Sequence, residues 1–174
     1  MTVIVPYVEP FLESETETWA RANGALICLL LQSDSSHYWT LLSMMWMASA
    51  GTSRDPGLSE HVGKPLTVVE QDVVPARGVV EAMEACPEPW CASPYQLGTG
   101  VWLDEGLGCT KFSAKLIADH PDLMEVVGWI DDDGMPARDW HRLDVRIART
   151  LRDLGYAPHR HRRSTHLHDY SKRP

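Results

Sequence analysis

Three short apolar runs constrain this chain most: Val3-Ile4-Val5, residues 25–31, and Leu66-Thr67-Val68-Val69. Each is too short for a lone helix and none alternates apolar with polar residues, so all three read as buried strands. The segments between them have helical spacing. Residues 16–23 form one helix, stopped by Gly24, and Ser35 or Ser36 caps a second that runs through Tyr38, Leu41, Leu42, Met45 and Trp46 to Gly51. A third covers residues 77–85, halted by Cys86-Pro87. Strand and helix in strict alternation predict an α/β layered fold with a mostly parallel central sheet flanked by helices. Further on, residues 89–93 and 100–103 are short strand candidates and residues 113–119 a helix capped by Ser113. After a polar loop at 131–138, residues 140–154 form a helix in which Leu143, Ile147, Leu151 and Leu154 share one face up to Gly155.

With 174 residues, 44% of them apolar, the chain can bury a core of its own, and residues 1–174 are expected to form one compact domain. No apolar run approaches the roughly 20 residues of a membrane span. The first residues, MTVIVPYVEPF, lack the basic start of a secretory signal, so the expected location is the cytoplasm. Four cysteines are too few for a disulfide scaffold and are expected as reduced thiols. Cys86 and Cys91 have four residues between them, two of them proline, which is not zinc-ribbon spacing. Charge divides the chain: residues 1–137 carry six Lys or Arg against twenty Asp or Glu, residues 138–174 ten against four. The basic end is either a solvated tail or a surface that meets phosphate.

In open α/β sheets ligands sit at the carboxyl ends of the strands. That rule selects Pro6-Tyr7-Val8-Glu9 after the first strand and Glu70-Gln71-Asp72 after the third. Carboxylates one residue apart at a strand end can hold a divalent cation, which in turn holds a diphosphate. His166-Leu167-His168-Asp169 offers a second half for such a site, since alternate residues of an extended segment point the same way and imidazole with carboxylate suits a first-row metal.

Taken in order, these segments resemble metal-dependent nucleotide-sugar glycosyltransferases of the GT-A fold, including small members carried by phages and bacteria. Residues 2–6 are similar to the family's first strand and nucleotide-side loop, and residues 66–72 to the strand ending in its Asp-x-Asp metal motif, with Glu70 in the first acidic place. Residues 106–113 resemble the glycine-containing acceptor-side turn, residues 140–144 the tryptophan and acidic pair opening a late helix, and His166-Leu167-His168 the C-terminal histidine of the metal shell. The resemblance implies Mn2+ or Mg2+ on Asp72 with His166 or His168. It implies a nucleotide-sugar donor held by Pro6, Tyr7, Glu9, Glu70, Arg160 and Arg162, and an acceptor held by Trp102, Gly106, Gly108 and Trp140. Asp144 would be the catalytic base. Residues 1–93 would then be the donor and metal half, 94–158 the acceptor half, and 159–174 a basic, histidine-rich end. A glycan or a modified base of phage DNA would be the acceptor.

Two other classes compete. Arg138, Arg142, Arg146, Arg149 and Arg152 recur on and around the last helix, which suits a winged-helix-like nucleic-acid-binding module built from the basic third. Seven tryptophans suit an assembly protein, although most are expected in the core.

Overall fold

β1 (Thr2–Val8), β2 (Leu26–Leu30) and β3 (Leu66–Val69) lie side by side and parallel, with β1 in the middle. The computed structural model describes residues 1–31, 34, 36–128 and 143–167. Beyond β3 the sheet continues with β8 (Cys109–Phe112) and β5 (Trp90–Ala92), each antiparallel to its neighbour, and ends with β9 (His159–Arg160), parallel to β5. The order is β2-β1-β3-β8-β5-β9, with three of the five pairings parallel.

The two faces of the sheet bury different side chains because successive strand residues point to opposite sides. Ile4, Leu66, Val68, Trp90 and Phe112 meet α2 (His37–Ala50), α4 (Ala114–Asp119), α5 (Leu123–Val127) and α6 (Leu143–Asp153) in one core. Val5, Val69, Cys91 and Cys109 meet α1 (Ser14–Ala22) and α3 (Val79–Ala85) in the other. The result is a Rossmann-like arrangement, a mixed sheet between helical layers. Trp46 of α2 packs edge-on against Phe112 at 5.3 Å and donates its indole N–H to the His120 carbonyl at 2.8 Å, tying α2 to the end of α4. Trp39, Trp46 and Trp90 are core residues, as expected for most of the tryptophans, whereas Trp129 and Trp140 lie outside the described residues.

Four expectations change. The first strand does not close at Pro6 but runs on to Val8, with Pro6 opposite Cys28. β3 stops pairing with β1 at Ile4, so at Pro6 the strand has one neighbour and the missing N–H costs little. β2, read as fully buried, is an edge strand that leaves Leu26 and Leu29 exposed; apolar composition does not distinguish an edge from a centre. Residues 109–112, read as part of an acceptor-side turn, form the central strand β8. Its Lys111 hid the strand: the side chain is 1% exposed and its ammonium donates to the Cys86 and Glu88 carbonyls at 2.8 and 2.9 Å. Finally, the C-terminal basic stretch is no separate wing, since β9 completes the central sheet. Among the described residues no helix is long and apolar enough to cross a membrane.

Candidate functional site

The turn Glu70-Gln71-Asp72 joins β3 to β4 (Val73–Val74) and is clamped from both sides. The Glu70 N–H donates to the Gly108 carbonyl at 3.0 Å, and the Val73 N–H to the Glu70 carbonyl at 3.1 Å. Gln71 ties this turn to the end of β1: its Oε1 accepts from the Val8 N–H at 2.8 Å, and its carbonyl accepts from the Glu13 N–H at 3.1 Å. Tyr7, Val8 and Glu9 therefore sit beside the acidic turn, at the carboxyl ends of two parallel strands.

The C-terminal segment closes the site. β10 (Thr165–His166) pairs antiparallel with β4, placing His166 opposite Val73, and the Leu167 N–H donates to the Asp72 carbonyl at 2.8 Å. As a consequence Asp72 Oδ2 and His166 Nε2 are 3.3 Å apart although 94 residues separate them in sequence, both largely buried. Two ligands of one octahedral ion at about 2.1 Å lie about 3.0 Å apart, so the separation of this pair could accommodate a small divalent cation. Among the described residues, the group of three metal-type side chains within reach of one another lies elsewhere.

Glu70 faces a different set of neighbours. Tyr95 of β6 (Tyr95–Gln96) donates its hydroxyl to Glu70 Oε2 at 3.5 Å, and its ring stacks on His166 at 5.5 Å with planes 7° apart. Burial pushes the Glu70 carboxyl up to about 8, the charges of Asp72 and Asp144 push the same way, and the hydroxyls of Tyr95 and Tyr38 oppose them. Tyr38, on α2, is pushed well above the usual phenol range by burial and then by Glu70, Tyr95, Asp144 and Asp72. Asp144, in the first turn of α6, thus lies within electrostatic reach of Glu70 and Tyr38.

This charge state has a stability consequence. In metal-free protein Glu70 keeps its proton up to about pH 8, whereas in the unfolded chain it ionises near 4.5, so the folded state binds more protons across that window and stability falls as pH rises through it. Glu70→Gln removes the effect. In a chelating buffer the melting temperature of E70Q relative to the parent is expected to climb between pH 5 and pH 8 by several degrees. A difference independent of pH contradicts this assignment.

The glycines of the expected acceptor turn seat Tyr95. A Cβ on Gly108 would stand 2.2 Å from Tyr95 Cε1, and one on Gly106 2.7 Å from the Tyr95 hydroxyl. Tyr95 is 3% exposed, so it is packed on all sides. Gly108→Ala is expected to destabilise the protein by about 1–3 kcal/mol through overpacking, read as a lower midpoint in chemical unfolding with unchanged slope.

With this geometry in view, the chain can be set beside known proteins. No protein-family model matches it, and no curated protein matches it. Among solved structures, A197 from STIV is similar with a TM-score of 0.51 at 12% identity, over 94% of this chain and 83% of that one. A glycosyltransferase involved in the glycosylation of the major capsid of PBCV-1 is similar with a TM-score of 0.46 at 6% identity, over 93% and 83%. The likeness to A197 is one of fold.

The remaining residues singled out in the sequence are distributed as follows. Trp102, on β7 (Trp102–Leu103), shares a hairpin with Tyr95 and is exposed, but the Arg163 guanidinium covers one face of its ring at 4.1 Å. Arg160 pairs with Asp104 at 3.2 Å. Arg162 is exposed, and its carbonyl accepts from the Ser93 hydroxyl. Arg152 pairs with Glu105. Trp140 and His168 lie outside the described residues. Tyr38 and Tyr95 were missed as site residues; two glycines one residue apart, in need of a bulky occupant, were the available signal for Tyr95.

Proposed function

We propose that the chain is a metal-assisted glycosyltransferase of GT-A type, moving a sugar from a nucleotide-sugar donor to an acceptor hydroxyl. The observation that carries this reading is the 3.3 Å approach of Asp72 and His166 beside Glu70 at the carboxyl ends of β1 and β3, with Asp144 within electrostatic reach of Glu70. That is where an open α/β sheet receives a ligand.

Asp72 and His166 would hold Mn2+ or Mg2+, which supplies positive charge to the donor's diphosphate. The end of β1, at Tyr7 and Glu9, lies where the nucleotide would lie. Asp144 accepts the proton of the acceptor hydroxyl as its oxygen bonds to the anomeric carbon. The anomeric carbon–oxygen bond breaks, and the nucleoside diphosphate leaves with the electron pair. Glu70, protonated at neutral pH in the absence of cation, keeps the number of negative charges facing the diphosphate down. The basic residues 160, 162 and 163 sit on the segment that also delivers His166, with Arg160 and Arg163 already engaged by Asp104 and Trp102.

The reading is tested by offering a panel of sugar nucleotides with manganese and measuring nucleoside diphosphate release. Release confined to one nucleotide class and lost in a chelator is expected. No release above buffer from any donor, with glycan and DNA acceptors supplied, overturns it.

A further inference from the structure

On the α1–α3 side of the sheet, three side chains of metal-binding type, none of them from the acidic turn, converge. Cys86 ends α3, Cys91 lies in β5, and His161 directly follows β9. One ligand atom from each lies within 4.8 Å of the others. We propose that Cys86, Cys91 and His161 form a zinc site that staples the C-terminal segment to the central sheet.

Strand pairing and a buried lysine bring the three together. β5 pairs with β9 so that Cys91 is opposite His159, and the His161 N–H donates to the Ala92 carbonyl at 2.9 Å, continuing the ladder by one step. The residues between the two cysteines are held by Lys111, whose ammonium binds the Cys86 and Glu88 carbonyls. Among the described residues His161 Nε2 is buried with no hydrogen-bond partner, an arrangement that costs free energy unless something ligates the nitrogen. Two thiolates and an imidazole are a soft donor set that selects zinc, and the thiolates cancel the ion's charge, so the ammonium of Lys111 nearby is tolerated. His161 is half-buried, and the ring of His159 stands edge-on to it at 4.9 Å, leaving the fourth position to water or to His159.

The staple matters for position. The segment after α6 is joined to the body through two strands of two residues each, the Ser93–Ser164 contact at 2.6 Å and the side-chain contacts of Arg160 and Arg163, and it delivers His166. An ion holding His161 to β5 would set the start of that segment.

The full-length chain, stripped by chelator under reducing conditions and reloaded with Zn2+ or Co2+, tests the proposal. One tightly held equivalent per chain is expected, with a thiolate-to-cobalt charge-transfer band in the near ultraviolet. Cys86→Ser and His161→Ala, both at half-buried positions, should each weaken zinc by roughly 100-fold or more, beyond what changes to residues behind a ligand cost. Asp72→Asn should keep its equivalent, which separates this site from the one proposed for the donor. Zinc should also slow hydrogen exchange at residues 159–167. The parent protein decides without any variant: absence of the thiolate band, or a Cys86–Cys91 disulfide in the isolated reduced-buffer preparation, overturns the site. Equal zinc affinity in C86S does so as well.

Discussion

Asp144→Asn is expected to cut turnover by roughly 10²- to 10⁴-fold while leaving the donor dissociation constant nearly unchanged, because a base that removes the acceptor proton acts only in the transfer step. The side chain stands in the first turn of α6, where its Oδ1 accepts from the Val145 N–H at 2.8 Å, and asparagine can keep that bond through its own oxygen. Its charge is felt by Glu70, so the variant should also let the Glu70 carboxyl fall toward its ordinary range. Steady-state kinetics and donor titration on the same preparation separate the outcomes. Loss of donor binding would make Asp144 a donor contact, and unfolding would make it a helix-end residue. Asp104 and Glu105 are poorer candidates for a base, since they are paired with Arg160 and Arg152.

The second large effect concerns Asp72. Asp72→Asn should reduce manganese-dependent donor affinity by roughly 100-fold or more, since loss of a direct ligand exceeds the cost of changes behind one. Affinity without manganese should not move. The fold should persist, because the turn is held by backbone bonds: the Asp72 carbonyl accepts from Leu167, and the Gln71 carbonyl and side chain fasten β1. His166→Gln should reproduce the loss of manganese dependence. Titration of each variant with and without the ion checks both statements.

The parallel trio β1, β2 and β3 was legible because strands of a parallel sheet read as short continuous apolar runs between helical segments, although β2 proves to be an edge strand. Strand β8 was not legible, since Cys109-Thr110-Lys111-Phe112 owes its place to an ammonium satisfied by two carbonyls far along the chain. Asp72 and His166 could be chosen by residue type and by the strand-end rule. Their 3.3 Å approach depends on a two-residue pairing, β10 with β4, too short to leave a pattern. Tyr95 and Tyr38 were illegible as site residues for a related reason: one reads as loop and the other as a helix face, and only packing against Glu70 brings them in. The spacing of Cys86 and Cys91 is unlike a zinc ribbon, and His161 comes within reach of them only through β9, which residues 159–160 do not announce.

The central claim is that the ends of β1 and β3 hold a sugar nucleotide through a divalent ion on Asp72 and His166. Thermal unfolding of the parent and of D72N, with each of a panel of sugar nucleotides, with and without manganese, tests it most directly. At a donor concentration 100 times the dissociation constant, binding adds about 2.7 kcal/mol, or roughly 5–10 °C for a chain of this size. A rise of that order is predicted for one nucleotide class, in the parent only and with manganese only. No rise with any donor, or an equal rise in D72N, would contradict the account.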